Sequence, residues 1–111
     1  MSRFSNLATG RLRVESTLGY SGLTASAPSS AAVTNSSGQV VASNTSRKGL
    51  VIINVGAANV SLAFGGNAAV VNSGITLVPN GVYEADQNIF VTDAVNAVSP
   101  SSSTIAIQEF T

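Results

Sequence analysis

Residues 49–55, Gly-Leu-Val-Ile-Ile-Asn-Val, form the most strand-prone run in the chain. β-Branched residues favour strands because their side chains pack well on a pleated surface. The run is apolar almost without a break, which is typical of a strand buried on both faces at the centre of a sheet. Nowhere does the chain sustain the apolar i, i+3, i+4, i+7 spacing of a helix. We therefore predict an all-β fold built around this strand.

Working outward, further short strand-like runs are separated by Gly, Asn and Pro turns. Upstream, 31–34 and 39–42 flank Asn35-Ser36-Ser37-Gly38, a pattern that predicts a hairpin. Downstream, Pro79-Asn80-Gly81 is a strong turn. The spacing of about eight to twelve residues predicts an antiparallel β-sandwich or jelly-roll-like barrel of roughly seven to nine short strands. The downstream runs are 60–64, 68–71, 75–78, 82–86, 89–91, 95–98 and 104–110.

The chain divides into two parts by composition. Residues 1–30 are dominated by Ser, Thr, Ala, Gly and Asn, with apolar residues thinly spread. Such a segment cannot bury enough apolar surface to offset its loss of chain entropy. We therefore expect 1–30 to be an extended N-terminal arm and 31–111 to be the β-sandwich body.

Composition excludes several classes of function. Of 111 residues 44% are hydrophobic and only 9% are charged, against about 25% charged in an ordinary soluble domain. A net charge of zero argues against nucleic acid as a partner, because neutralising phosphates needs a basic surface. No apolar run approaches the roughly 20 residues that span a membrane. With no Cys and no His, the chain lacks the commonest catalytic and metal-binding side chains. We expect no cofactor, no metal and no enzyme activity.

The few charges are segregated along the chain. Residues 1–48 carry every basic group and a single acid, whereas 49–111 carry only acids. Two interpretations stay open: chance, or head-to-tail pairing in which the basic arm of one copy meets the acidic body of another. The charged residues are Arg3, Arg11, Arg13, Glu15, Arg47, Lys48, Glu84, Asp86, Asp93 and Glu109.

One pair of carboxylates is a candidate for a catalytic or metal-binding site. Glu84 and Asp86 are two residues apart on a predicted strand and so point to one face. They could serve acid–base chemistry or bind Ca²⁺, but a solvated strand face explains them better, because the chain has no Trp to bind a sugar. The only lysine, Lys48, lies in a predicted turn where water reaches it, which disfavours a Ser–Lys catalytic pair.

The arm carries the residues that we expect to form a partner interface. Arginine and aromatic residues are enriched in protein–protein contacts. We expect the apolar residues of the arm to anchor it on a neighbouring chain, while its arginines pair with carboxylates across the interface. The alternative is that a strand at 12–16 only completes the sheet of its own body. The predicted interface residues are Arg3, Phe4, Leu7, Arg11, Leu12, Arg13 and Tyr20.

The order of motifs in 47–110 resembles a small β domain common in virion proteins of tailed bacteriophages. A basic pair at 47–48 precedes an apolar strand ending in Asn54. A second strand ends in Phe64-Gly65, followed by an apolar-Pro-Asn-Gly turn at 77–81 and a closing strand that ends near Glu109. Residues 1–46 lie outside the resemblance.

The resemblance implies a structural role without catalytic residues. Capsid cement or decoration proteins, head fibres and tail proteins use such modules, and a chain of this length has no room for a fibre shaft. We therefore expect a homotrimeric cement protein on the outer surface of a phage capsid, bound to the major capsid protein. The alternative is a tail, adaptor or head-fibre component that serves as a structural or receptor-binding knob.

Overall fold

The computed structural model describes residues 23–85 and 92–111. These residues form eight β-strands and no helix, which confirms the predicted all-β class. The strands are β1 (Ser29–Val33), β2 (Gly38–Val41), β3 (Gly49–Asn54), β4 (Val60–Phe64), β5 (Ile75–Leu77), β6 (Val82–Ala85), β7 (Val95–Val98) and β8 (Ser103–Phe110).

Two four-stranded antiparallel sheets make up the body. One has the order β1-β8-β3-β6 and the other β2-β7-β4-β5. The pairs β1·β8, β2·β7, β3·β6 and β4·β5 are all hydrogen bonded, as if one long antiparallel ribbon were wound into two sheets. This is the strand order of an eight-stranded jelly roll, and it confirms the predicted antiparallel sandwich.

Strand β3 lies at the centre of its sheet, between β8 and β6, as its sequence predicts. Leu50, Ile52 and Asn54 point inward and are fully buried, whereas Val51 and Ile53 are half-buried on the outer side. The inward apolar side chains of both sheets form one core between the layers, as expected for packed sheets. Its members are Val33, Val41, Leu50, Ile52, Val60, Leu62, Leu77, Ala85, Val95, Ala97, Ile105 and Ile107.

The turn between β5 and β6 forms as predicted. The Gly81 N–H donates to the Val78 carbonyl at 2.7 Å, and Asn80 has a φ of 69°. Positive φ at the third position, with proline at the second, is the geometry of a type II turn. A Cβ on Gly81 would lie 2.8 Å from the Val78 oxygen, so glycine is required there.

Two local strand predictions are wrong. The turn at 34–37 is present, but β1 and β2 enter different sheets and pair with β8 and β7 instead of with each other. The turn residues only reverse the direction of the chain. Which strand β1 or β2 pairs with depends on the sheet in which its apolar side chains are buried. Residues 68–71 form no strand; the Ala69 N–H donates instead to the Ser37 hydroxyl at 2.8 Å. The predicted strand at 89–91 lies outside the described residues.

The chain is attached to the body before β1 begins. Thr24 and Thr111 exchange two backbone hydrogen bonds of 2.8 and 2.9 Å, and the Ser26 N–H donates to the Glu109 carbonyl at 2.9 Å. Residues 24–26 therefore continue the pairing along β8 beyond the break at Ala27-Pro28.

Candidate interaction surface

Arg47 is a buried structural residue, with 1% of its surface exposed. Its Nε donates to Glu109 Oε1 at 3.1 Å, and its Nη1 and Nη2 donate to the carbonyl oxygens of Asp93 at 3.1 Å and Ala42 at 2.7 Å. The same Glu109 oxygen accepts a bond from Asn44 Nδ2 at 3.1 Å. Arg47 thereby ties the segment after β2, the segment before β7 and the end of β8 together.

This contact bears on the segregated charges. Arg47 belongs to the basic part of the sequence and Glu109 to the acidic part, yet they pair within one chain. Burial inside the sandwich joins these two charges within one copy, whereas the predicted contact between the arm of one copy and the body of another stays a prediction. Arg3, Arg11 and Arg13 lie outside the described residues.

Asn54 is a second buried polar centre, and its side-chain amide is fully hydrogen bonded. Its Nδ2 donates to the carbonyl oxygens of Ala58 at 2.7 Å and Leu77 at 2.9 Å. Its Oδ1 accepts from the Gly56 N–H at 3.1 Å and the Ser103 hydroxyl at 2.7 Å. This amide, with both donors and both acceptor positions satisfied, links β3 to β8 in its own sheet and to β5 in the other sheet. This residue therefore stabilises the fold.

The outer side of the sheet β1-β8-β3-β6 is a broad surface that is almost free of charge. We call it the outer face. Ile53 pairs with Val82 on one side and Ala106 on the other, and strand alternation places these three side chains together on this side. Val82 is 55% exposed. The outward strand residues include a single charge, Glu84; the set is Ser30, Ala32, Gly49, Val51, Ile53, Val82, Glu84, Thr104, Ala106, Gln108 and Phe110.

A groove of about 350 Å³ opens at one end of the outer face. Phe110 packs across the bare backbone of Gly49: a Cβ built on Gly49 would meet Phe110 Cβ at 3.3 Å. The groove combines an apolar lining with one ammonium and one carboxylate, both on exposed residues. Its lining residues are Leu23, Lys48, Gly49, Val51, Glu84, Ala85 and Phe110.

Most of the residues that the sequence singled out fall outside the described part of the chain. The seven predicted interface residues all fall within 1–22, outside the described residues. Glu84 is exposed on the outer face, and its predicted neighbour Asp86 is outside the described part. In residues 23–85 and 92–111, no three His, Cys, Asp or Glu side chains come close enough to hold a metal ion. The same ranges contain no helix that could cross a membrane.

Sequence reasoning missed the groove and the burial of Arg47. The groove depends on Phe110 packing over Gly49, which requires the antiparallel register of β3 and β8. Arg47 lies two residues before the central strand, and the adjacent Lys48 is exposed, so no local pattern distinguishes the buried basic residue from the exposed one.

No family model matches the chain, and no curated protein or solved structure is significantly similar to it.

Proposed function

We propose that this chain is a non-enzymatic structural protein of a bacteriophage virion, a cement or decoration protein on the outer surface of the capsid. The observation that carries the proposal is the jelly-roll strand order, an architecture used by viral capsid domains and also by lectins and cupins. Because proteins with unrelated functions share this fold, the strand order supports the proposal by analogy. The chemistry of the chain favours the capsid role within that set, because its 111 residues contain no His, Cys or Trp.

The outer face suits contact with protein. The outward residues of its four strands include one charge, so the surface lacks the positive charge that binding a phosphate backbone needs. Its uncharged side chains suit apolar packing against another protein. The mechanism that we propose is mechanical: many weak contacts, repeated over several coat subunits, resist the outward pressure of packed DNA. Avidity multiplies contacts that are individually weak. A homotrimer would present three such surfaces and three arms at once.

The arm supplies the contact with the major capsid protein. Phe4, Leu7 and Leu12 anchor it, while the arginines at 3, 11 and 13 pair with coat carboxylates and fix the register. Exposed ion pairs contribute about 0–1 kcal/mol each. The apolar anchors therefore matter more than the charges for affinity.

Deleting residues 1–13 tests this contact, because the deletion removes all six of these residues. The truncated body should melt like the full chain yet lose occupancy on capsids, measured by co-sedimentation with particles that lack the protein. The matched control replaces only Arg3, Arg11 and Arg13 with Ala, and should lose less occupancy. Undiminished binding of the deletion variant would contradict the proposal. A body that unfolds or aggregates would instead favour a strand at 12–16 that completes its own sheet.

The second candidate is a tail, adaptor or head-fibre component. The same fold and the same uncharged surface serve a knob at one vertex as well as a cement over the head. The two functions differ in copy number and position on the particle.

A further inference from the structure

We propose that the groove at the end of the outer face is the docking site for the chain's own segment 17–22, with Tyr20 as the side chain that fills it. This inference does not rest on the proposed function, since it concerns contacts within one chain. It assigns Tyr20 to the body and leaves the arm residues at 3–13 for a partner.

The described chain begins at the groove itself. Leu23 itself lines the groove, together with Val51 of β3 and Glu84 of β6. Three Cα–Cα steps of 3.8 Å separate Tyr20 from Leu23, so the two Cα atoms are at most about 11 Å apart. The only residues between them are Ser21 and Gly22, and glycine permits a chain reversal there without steric cost. No second chain has to be recruited to bring an aromatic ring to this groove.

The chemistry of the groove lining matches a tyrosine side chain. The groove offers an aromatic ring, Phe110, and aliphatic carbon, and it also carries the Lys48 ammonium and the Glu84 carboxylate. Tyrosine has an apolar body and a polar tip, and it needs a hydrogen-bond partner when buried. The Glu84 carboxylate could accept a hydrogen bond from the tyrosine hydroxyl, and the Lys48 ammonium could lie against the ring face. A purely aliphatic side chain would use only half of this lining.

The size of the outer face also favours a segment of the same chain. Four strands at about 4.8 Å spacing and about five residues of 3.4 Å rise give the outer face an area of about 300 Å². A stable interface between two folded proteins needs about 800 Å² from each partner. The face is thus too small to hold a second copy by itself and large enough for one extended segment. A segment that is already tethered has a high effective concentration, in the millimolar range for a short linker.

Introduced cysteines provide the test, because the chain has no native cysteine. In the double variant Ser21→Cys/Glu84→Cys, which keeps Tyr20 in place, mild oxidation of dilute protein should give an intrachain disulfide, identified by peptide mapping. The matched control pairs Ser21→Cys with Val70→Cys. Val70 is 60% exposed in the loop between β4 and β5, in the other sheet. It should form little intrachain disulfide.

Each other outcome overturns the proposal. A disulfide that joins two chains at position 84 would place the segment on a second copy. Equal crosslinking to positions 84 and 70 would mean that the segment has no preferred site, and no crosslink to position 84 would mean that it does not reach the groove.

Fluorescence gives an independent readout without cysteines. The chain has two tyrosines and no Trp, so Tyr83→Phe leaves Tyr20 as the sole fluorophore of these types. Acrylamide should quench Tyr20 less in the folded variant than in the same variant unfolded by urea. Adding Val51→Lys to the groove should abolish that protection. Equal quenching in the folded and unfolded forms of the first variant would contradict docking.

Discussion

Arg47 Nε donates to Glu109 Oε1 over 3.1 Å, and this bond joins the residue two positions before β3 to the strand that closes the fold. Arg47 is buried, whereas the Glu109 side chain keeps 25% of its surface exposed. Guanidinium presents several donors in a rigid fork, and two of its nitrogens also reach backbone carbonyls. The arginine therefore ties three segments of the chain together: the segment after β2, the segment before β7 and the end of β8.

Replacing Arg47 with Met should destabilise the fold. Breaking a buried ion pair costs about 3–5 kcal/mol, and the lower end applies because water can reach Glu109 once its partner is gone. Lys48→Met is the matched control, since Lys48 is adjacent and exposed, and it should leave the free energy of unfolding nearly unchanged. Urea titration measures both variants. Equal stability of the two would show that Arg47 is dispensable.

The core prediction compares two adjacent isoleucines of β3. Ile52 is fully buried between the sheets, so Ile52→Ala should lower the free energy of unfolding by about 2–5 kcal/mol. Ile53 lies half-buried on the outer face, and Ile53→Ala should cost less because no closed cavity forms. Thermal melts of the two variants check the order. A larger loss for Ile53→Ala would reverse the assignment of the two faces of β3.

The Asn54 amide offers a test that depends on pH. In Asn54→Asp, one oxygen would face the Ala58 and Leu77 carbonyls that Nδ2 now binds. Burial and these carbonyl oxygens disfavour the charged form, so the pKa of the new carboxyl should rise above its unfolded value. The variant should therefore be most stable below the unfolded pKa, about 4, and lose stability as pH rises through the folded pKa.

The control for this variant is Asn54→Ala, which loses the same hydrogen bonds and introduces no titrating group. Urea titrations across pH would give each variant's stability relative to the parent chain. Parallel pH profiles for the Asp and Ala variants would contradict the buried, carbonyl-facing geometry of Asn54.

The burial of Tyr83 predicts how the stability of the fold changes at alkaline pH. Desolvation by burial raises the pKa of this phenol above its ordinary value of 10.0, and its ring packs against Phe64 with 5.3 Å between centroids. The neutral phenol is favoured in the folded state. The contribution of this phenol to the free energy of unfolding is complete at pH values below the unfolded pKa, and it is lost as pH rises through the folded pKa. Tyr83→Phe should flatten the decline in melting temperature above about pH 10. An unchanged decline would exclude Tyr83 as its source.

The sequence predicts the elements of this fold better than their partners. The strand at 49–55 and the turn at 79–81 follow from β-branched residues and from Pro and Gly, whose effects are local. The pairing of β1 with β8 joins residues that are far apart in sequence, and no local propensity encodes that choice. For the same reason the hairpin predicted over 31–42 is correct in its turn but wrong in its strand pairing, because β1 and β2 pair with β8 and β7.

Whether a charged side chain is buried is also hard to predict from a sequence. Arg47 and Lys48 are adjacent basic residues, yet one is buried and the other exposed. The difference arises because Arg47 precedes β3 at a point where Asp93 and Glu109 acceptors converge, which only the closed sandwich brings together. The groove likewise needs Phe110 to pack over Gly49, across two strands.

Imaging particles that carry a labelled copy of this chain tests its proposed place on a phage particle. We expect many copies spread over the outer surface of the head, grouped in threes at symmetric positions between coat subunits. Label confined to a few copies at one vertex or along the tail would establish the alternative function. Particles that carry no copies at all would contradict the virion role itself.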